Sequence, residues 1–387
     1  MIEIGIAGKP NAGKSTFFKA ATMVDVEIAN YPFTTIEPNV GVAHVRTECV
    51  CRELGVVCRE CVDGRRYIAV KLIDVAGLVP EAHKGRGLGN EFLDNLRQSE
   101  GIIHVVDASG STDAEGNEIG ISERDPVEDV RFLYEELDMW IFNILKRNWD
   151  RIVRRVSMEK IPPSRLIAEQ LGGLGFTEVH VKESLREIGD FTKFSDAELL
   201  QFARELRKRR MKMIIAANKI DKAPSELVER LKKLDEIVIP TSAEIELTLR
   251  TASKNGYITY YPGDTDFKIV KELNEKQRKA LELIRNIIKE NGGTGVQEAI
   301  NKVVFDLLEY IVVYPVEDEN KYTDSKGNVL PDAMLVKKGT TAKELAFLIH
   351  TDIGKNFIHA IDARRKMRIS DDYELKNNDV IKIVSSA

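Results

Sequence analysis

The sequence contains no run approaching the ~18 consecutive apolar residues of a membrane-spanning helix, and nothing in it reads as a bilayer protein. Its opening residues, Met1 to Gly8, lack the basic stretch and the long apolar segment of a secretory signal, which points to a soluble, cytoplasmic protein. There are no internal repeats and no low-complexity tails. An excess of positive charge is also missing. With 57 Lys and Arg against 62 Asp and Glu, the net charge is −5. That excludes a chain that coats nucleic acid through bulk attraction and confines any RNA contact to a local basic patch. Cysteine is scarce. All four, Cys49, Cys51, Cys58 and Cys61, fall in the single stretch CVCRELGVVCREC. C-x-C followed by C-x-x-C suits a tetrahedral thiolate site for Zn²⁺. Free thiols in a hairpin, or disulfides of the kind found in hyperthermophile cytosol, are alternatives that spacing leaves open.

A length of 387 residues suggests two or three domains rather than one core. Short apolar runs at Ile2–Ala7, Val40–Arg46, Tyr67–Ile73, Gly101–Asp107, Met213–Asn218 and Ile237–Ser242 alternate with helical stretches, as in a largely parallel sheet covered on both faces. Between Ala108 and Met213 that alternation stops. Val130, Leu133, Leu137, Trp140, Ile141, Ile144, Leu145, Trp149, Ile152 and Val153 recur at three and four, which predicts one long amphipathic helix. Ser195 and Glu198 then form a capping box that opens another helix. After about Val304, strand-like runs, one helix starting at Thr341 and a terminal strand suggest a small β-grasp module. The expected division is residues 1–109 with 210–303 as an α/β domain, 110–209 as an all-helical insertion, and 304–387 as the β-grasp domain.

The motifs define a nucleotide site. Gly8-Lys-Pro-Asn-Ala-Gly13-Lys14-Ser15 fits G-x-x-x-x-G-K-S/T, and it follows a strand and opens a helix, as a phosphate-cradling P-loop requires. Lys14 would bridge the β- and γ-phosphates and Ser15 would ligate Mg²⁺. Asp74-Val-Ala-Gly77 ends the next well-defined strand. Its Asp would hold the metal through water and its Gly would offer an N–H to the γ-phosphate. In Asn218-Lys219-Ile220-Asp221, the Asp221 carboxylate can accept from guanine N1–H and the 2-amino group together, a contact adenine cannot make. A site built for those donors rejects a base lacking them. Ser242 and Ala243 follow the next strand, where a backbone amide would meet the guanine O6. Thr34 and Thr35 occupy the place of a switch loop, where a threonine completes the Mg²⁺ shell.

Taken together, Gly8 to Thr16, YPFTTIEPNVG, DVAGLVPEAHKGRGLGNEFLDNLR and NKID resemble the Obg-like GTPases, most closely their YchF-like archaeal and eukaryotic branch. The resemblance covers nearly the whole chain. It implies a Ras-like G domain, a helical insertion and a C-terminal TGS domain, with the glycine-rich N-terminal domain of Obg proper not expected. It further implies that Asn11, Ala12, Gly13, Lys14, Ser15 and Thr16 bind phosphates and that Ser15 and Thr35 bind Mg²⁺. In the main YchF group the fourth motif departs from Asn-Lys-x-Asp and ATP is preferred. NKID is intact here, so GTP and GDP are the expected ligands. Family membership also points to ribosomes and translation.

Catalysis is less legible. Leu78 stands where Ras-like enzymes place a water-positioning Gln, so hydrolysis should be slow or use another group. Lys14, Gly77 and His83 are the candidates. Asn11 offers a second route, because in related P-loops an Asn at this place helps hold K⁺. Two basic groups, Lys146, Arg147, Arg151, Arg154 and Arg155, then Arg204, Arg207, Lys208, Arg209 and Arg210, read either as solvated helix faces or as RNA-contacting surface. The leading expectation is a slow, ribosome-associated GTPase switch. A YchF-type ATPase and a nucleotide-binding module with vestigial hydrolysis are the alternatives.

Overall fold

The computed structural model describes residues 1–23, 39–75, 77–78 and 89–386. Among these, two compact units are formed. One holds residues 1–23, 39–43 and 71–303, and the other holds 44–70 and 304–386.

Strands β1 (Glu3–Ala7), β2 (Val40–Glu48), β3 (Arg65–Asp74), β4 (Gly101–Asp107), β5 (Met213–Asn218) and β6 (Val238–Pro240) belong to a six-stranded sheet of order β2-β3-β1-β4-β5-β6, all of it in the first unit except residues 44–48 of β2 and 65–70 of β3. The pairs β1–β3, β1–β4, β4–β5 and β5–β6 are parallel. Every residue of β4 and β5 is buried. Burial on two faces explains why those strands are continuous apolar runs without polar alternation. Parallel pairing brings the carboxyl ends of β1, β3, β4, β5 and β6 to one side of the sheet, where open α/β sheets place their ligands. Two short strands, β7 (Ile258–Thr259) and β8 (Lys268–Ile269), pair antiparallel beside this sheet in the chain.

The long helix predicted from periodicity runs Pro126–Glu159. The Asp125 side chain caps its start, accepting from Val127 N–H at 3.0 Å, and Lys160 ends it with φ 55°. Helices Pro163–Leu171 and Asp196–Arg210 pack along it, and Glu178–Leu185 packs against those two. Ser195 and Glu198 form the expected capping box. These helices do not close a core of their own. Trp140, stacked on Phe92, Trp149, stacked on Phe194, and Phe202 share one apolar cluster with Ala7, Ile73, Leu78 and Ile102 of the sheet region.

The second unit is a five-stranded sheet formed by β9 (Tyr310–Val316), β10 (Met334–Lys337), β11 (Phe357–Asp362), β12 (Met367–Ile369) and β13 (Asp379–Ser385), in the order β10-β9-β13-β11-β12. Its central pair, β9 and β13, is parallel and the flanking pairs are antiparallel. Helix Ala342–Ile349, boxed by Thr341 and Glu344, packs Ala342 and Leu345 against Val313, Ala360 and Ile381. A mixed sheet with one helix on its face is the β-grasp arrangement expected from the sequence. The β2–β3 connection also lies in this unit: Cys49, Val50 and Cys51 are buried against Val312, Tyr314, Leu330 and Val380.

Candidate nucleotide-binding site

The turn between β1 and helix Lys14–Thr22 is built around Gly13, whose φ of 97° and crowding leave no room for another residue. A Cβ there would stand 2.2 Å from Asn218 Nδ2. Asn11 also has a left-handed backbone, φ 57°, which asparagine tolerates better than most residues. At the far end of the helix the buried Arg250 guanidinium binds the free carbonyls of Ala20, Ala21 and Met23, satisfying groups a helix terminus leaves open.

Lys14 is buried, and its ammonium donates to Lys9 O at 2.9 Å. Burial pulls its pKa below the ordinary lysine value, and Asp74 offsets this only in part. Ser15 Oγ donates to Asp74 Oδ2 at 3.1 Å. Burial raises the Asp74 pKa, against the opposing effects of the Ser15 hydroxyl and Lys14. Gly77 lies beside the same lysine, since a Cβ on it would be 3.2 Å from Lys14 Nζ. A buried ammonium bonded only to a carbonyl among the described residues fits an incoming polyphosphate. A hydroxyl and a carboxylate side by side fit a hard divalent cation such as Mg²⁺.

The ends of β5 and β6 supply the other half. Asn218 donates through Nδ2 to Ala12 O at 3.0 Å and accepts through Oδ1 from Ala243 N–H at 3.0 Å, so it ties the phosphate turn to the Ser242–Ala243 segment. Ser242 Oγ donates to Asp221 Oδ1 at 2.7 Å and accepts from Ile245 N–H at 3.4 Å, capping helix Ala243–Lys254. Lys219, with φ 64°, donates from Nζ to Asp107 Oδ2 at 2.9 Å. Thr34, Thr35 and His83 lie outside the described residues.

Three features escaped sequence reasoning. Asp107, fully buried at the end of β4, accepts from the hydroxyls of Ser109, Ser111 and Thr112 as well as from Lys219. Burial alone would raise its pKa, yet the Ser109 hydroxyl and the Lys219 ammonium together hold it below the usual carboxylate range. The hydroxyl-rich run after the strand, Asp-Ala-Ser-Gly-Ser-Thr, was its only signal. Lys9 is buried in an ion pair with Asp129 at 2.7 Å and also donates to Thr112 O at 2.7 Å. Lastly, the segment after β4 presses on the phosphate turn. Asn11 Nδ2 donates to Gly116 O at 2.9 Å, and a Cβ on Gly116 would meet Pro10 O at 2.6 Å.

The same residues carry the family. Residues 3–135 match the family described as 50S ribosome-binding GTPase. Residues 216–318 match the Obg-like GTPase YGR210-like, G4 motif-containing domain, and 326–385 match the TGS domain. A GTP-binding protein of Methanocaldococcus jannaschii is 55% identical over 100% of each chain. The chain belongs to the Obg-like GTPase family. The ribosome-binding ATPase YchF of Bacillus subtilis is 27% identical over 92% of this chain and 87% of its own. The crystal structure of a GTP binding protein from Pyrococcus horikoshii matches over 100% of both chains, at 44% identity and a TM-score of 0.79.

Two features qualify how this Obg-like chain works. Leu78, at the position where Ras-like enzymes orient water, is 2% exposed and joins the core, with its N–H on Gly8 O at 3.2 Å. The second basic run is largely spent on internal partners. Arg207 is buried against Asp138 at 2.6 Å, Arg209 pairs with Glu183 and Glu187, and Arg210 caps the carbonyls of Arg97, Ser99 and Gly175. In the first run Arg147, Arg151 and Arg154 are exposed. Among the described residues no helix is long and apolar enough to cross a membrane.

Proposed function

We propose that this Obg-like protein binds GTP and GDP with Mg²⁺, hydrolyses GTP slowly, and serves in the cytoplasm as a nucleotide-dependent switch read by the ribosome. The observation that carries the guanine reading is Asp221, whose Oδ1 is occupied by the Ser242 hydroxyl at 2.7 Å, leaving Oδ2 for the base. Asn11 through Thr16 hold the phosphates, with Lys14 bridging β and γ. Ser15 and Thr35 ligate Mg²⁺, and Asp74 holds it through water. Gly77 meets the γ-phosphate, Ala243 the guanine O6, and Lys219 covers the base plane with its tip anchored on Asp107. The bound metal supplies charge neutralisation of the phosphates. The domain limits 1–109 with 210–303, 110–209 and 304–387 belong to this reading.

The water-positioning group is not Leu78, which lies in the core. K⁺ beside Asn11 is the favoured source of extra positive charge, because the Asn11 Nδ2 bond to Gly116 leaves Oδ1 as an acceptor. Equal turnover in Na⁺ and K⁺ would sink that part. Ribosomal RNA contact is assigned to Arg147, Arg151 and Arg154, since the second basic run is internally paired. The TGS domain is the other docking candidate.

The deciding experiment is the affinity of the purified chain for GTP, GDP and ATP with Mg²⁺, followed by single-turnover hydrolysis. Strong guanine preference with slow turnover supports the switch. ATP bound equally or better would make the YchF-type ATPase the reading, as the B. subtilis relative's name suggests. Tight binding without turnover would leave a nucleotide-binding module.

A further inference from the structure

The β2–β3 connection folds its two cysteine pairs onto one another. Cys49 follows β2, and Cys51 opens the short helix Cys51–Leu54, which Gly55 ends with φ 66°. Cys58 and Cys61 lie in the return toward β3, which is closed by Cys49 N–H on Gly64 O at 2.8 Å and by the Val62–Arg65 bridge. The sulfurs of Cys49, Cys51 and Cys61 lie within 4.8 Å of one another, with Cys51 and Cys61 3.6 Å apart. Four sulfurs each about 2.3 Å from a tetrahedral zinc stand about 3.8 Å from one another, so this trio is already at ligand spacing. Cys58, outside that trio, stands next to it: its carbonyl accepts from Cys61 Sγ at 3.8 Å and its sulfur accepts from Glu60 N–H at 3.3 Å.

One neighbour adds a charge argument. Arg66, 5% exposed, donates to Leu330 O and Pro331 O at 3.0 Å each and reaches Cys58 Sγ at 3.5 Å, with no carboxylate bound to it among the described residues. A buried cation without a counter-charge is costly. Disulfides are neutral and supply none. Four thiolates around one divalent ion carry a net charge of two minus, which gives Arg66 the counter-charge it lacks.

We propose that Cys49, Cys51, Cys58 and Cys61 bind one Zn²⁺ as four thiolates, and that this structural site fastens the hairpin tip into the core of the C-terminal β-grasp unit. Binding takes four S–H groups to four Zn–S bonds and releases their four protons to solvent, with no redox change. A saturated set of four protein ligands leaves no open position for catalysis. The role is that of a staple between the tip and Val312, Tyr314 and Leu330.

The test is elemental analysis of the full chain purified under reducing conditions without chelator, then Co²⁺ alone added to protein stripped with an organomercurial. About one zinc per chain and a thiolate-to-cobalt charge-transfer band with strong visible bands of a tetrahedral site are expected. Cys58→Ser should weaken Co²⁺ binding at least tenfold and diminish that band, with nucleotide affinity unchanged. Three results would each overturn the proposal: no zinc together with no cobalt–thiolate band from reduced wild type, iron in place of zinc, or a native mass short by two hydrogens per bridge, which would show disulfides. The wild-type measurements stand even where Cys58→Ser fails to fold.

Discussion

Asp221→Asn tests the base-reading geometry most directly, because the structure says which way the new amide must face. Ser242 Oγ already accepts from Ile245 N–H at 3.4 Å, so its own hydrogen goes to Oδ1 of residue 221 at 2.7 Å. In the variant that hydrogen selects the carbonyl oxygen of the amide and leaves the NH₂ pointing at the base. Guanine then meets a donor where it needs an acceptor for its N1–H and 2-amino group. One charge-assisted bond worth about 1.5–3 kcal/mol is lost, and leaving donors unsatisfied costs a further ~1–3 kcal/mol. A total of about 2.5–6 kcal/mol corresponds to a fall in GTP affinity of roughly 10²- to 10⁴-fold. Xanthine carries an oxo group where guanine carries its 2-amino group, so XTP should gain in the same variant. Equilibrium titration with fluorescent GDP, competed by GTP, XTP and ATP, reads all of this at once. A GTP loss of less than about tenfold, or no gain for XTP, would show that Asp221 does not read the base.

Four further outcomes are expected. Asp129→Asn leaves the Lys9 ammonium buried, with burial already lowering its pKa, and should destabilise the fold by about 3–5 kcal/mol in denaturant titration. A cost below ~1 kcal/mol would contradict that burial. Leu78→Gln should not speed hydrolysis, because the position lies in the core. It should instead cost roughly 3–5 kcal/mol of stability from lost apolar burial and a buried amide, and a tenfold rise in turnover would be the contrary result. Burial, with Lys14 adding to it, pushes the His104 pKa down to about 3. The unfolded chain therefore binds more protons between about pH 3 and 6.5, and stability is fully present above 6.5 and falls as pH drops through that window. By pH 4.5 His104 should account for roughly 2–3 kcal/mol of lost stability, a sensitivity absent in His104→Leu when urea midpoints are compared. Replacing Arg147, Arg151 and Arg154 together by Ala should reduce salt-dependent ribosome co-sedimentation while leaving thermal stability nearly unchanged. Equal co-sedimentation by the triple variant would move the contact elsewhere.

Much of this molecule is local and was therefore readable. The phosphate turn is set by glycine at fixed spacing between a strand and a helix. The buried strands announce themselves because two-sided burial leaves no polar alternation. The boxes Ser195/Glu198 and Thr341/Glu344 close within four residues, so their partners stand in the same short string. The long inserted helix follows from apolar spacing alone.

What only the tertiary structure decided is which distant groups meet. Lys219 with Asp107, Asn218 with Ala12 and Arg66 with Leu330 join positions 112, 206 and 264 residues apart, and no local pattern encodes those pairings. The basic run from Arg204 to Arg210 looked like an open surface because composition counts charges without their partners. Folding places Asp138, Glu183, Glu187 and three backbone carbonyls against it. The cysteine hairpin, written between the first two nucleotide motifs, packs into the C-terminal unit for the same reason. Burial is a property of the folded chain, and apolar residues such as Val50, Tyr314 and Leu330 leave water together only when topology brings them side by side.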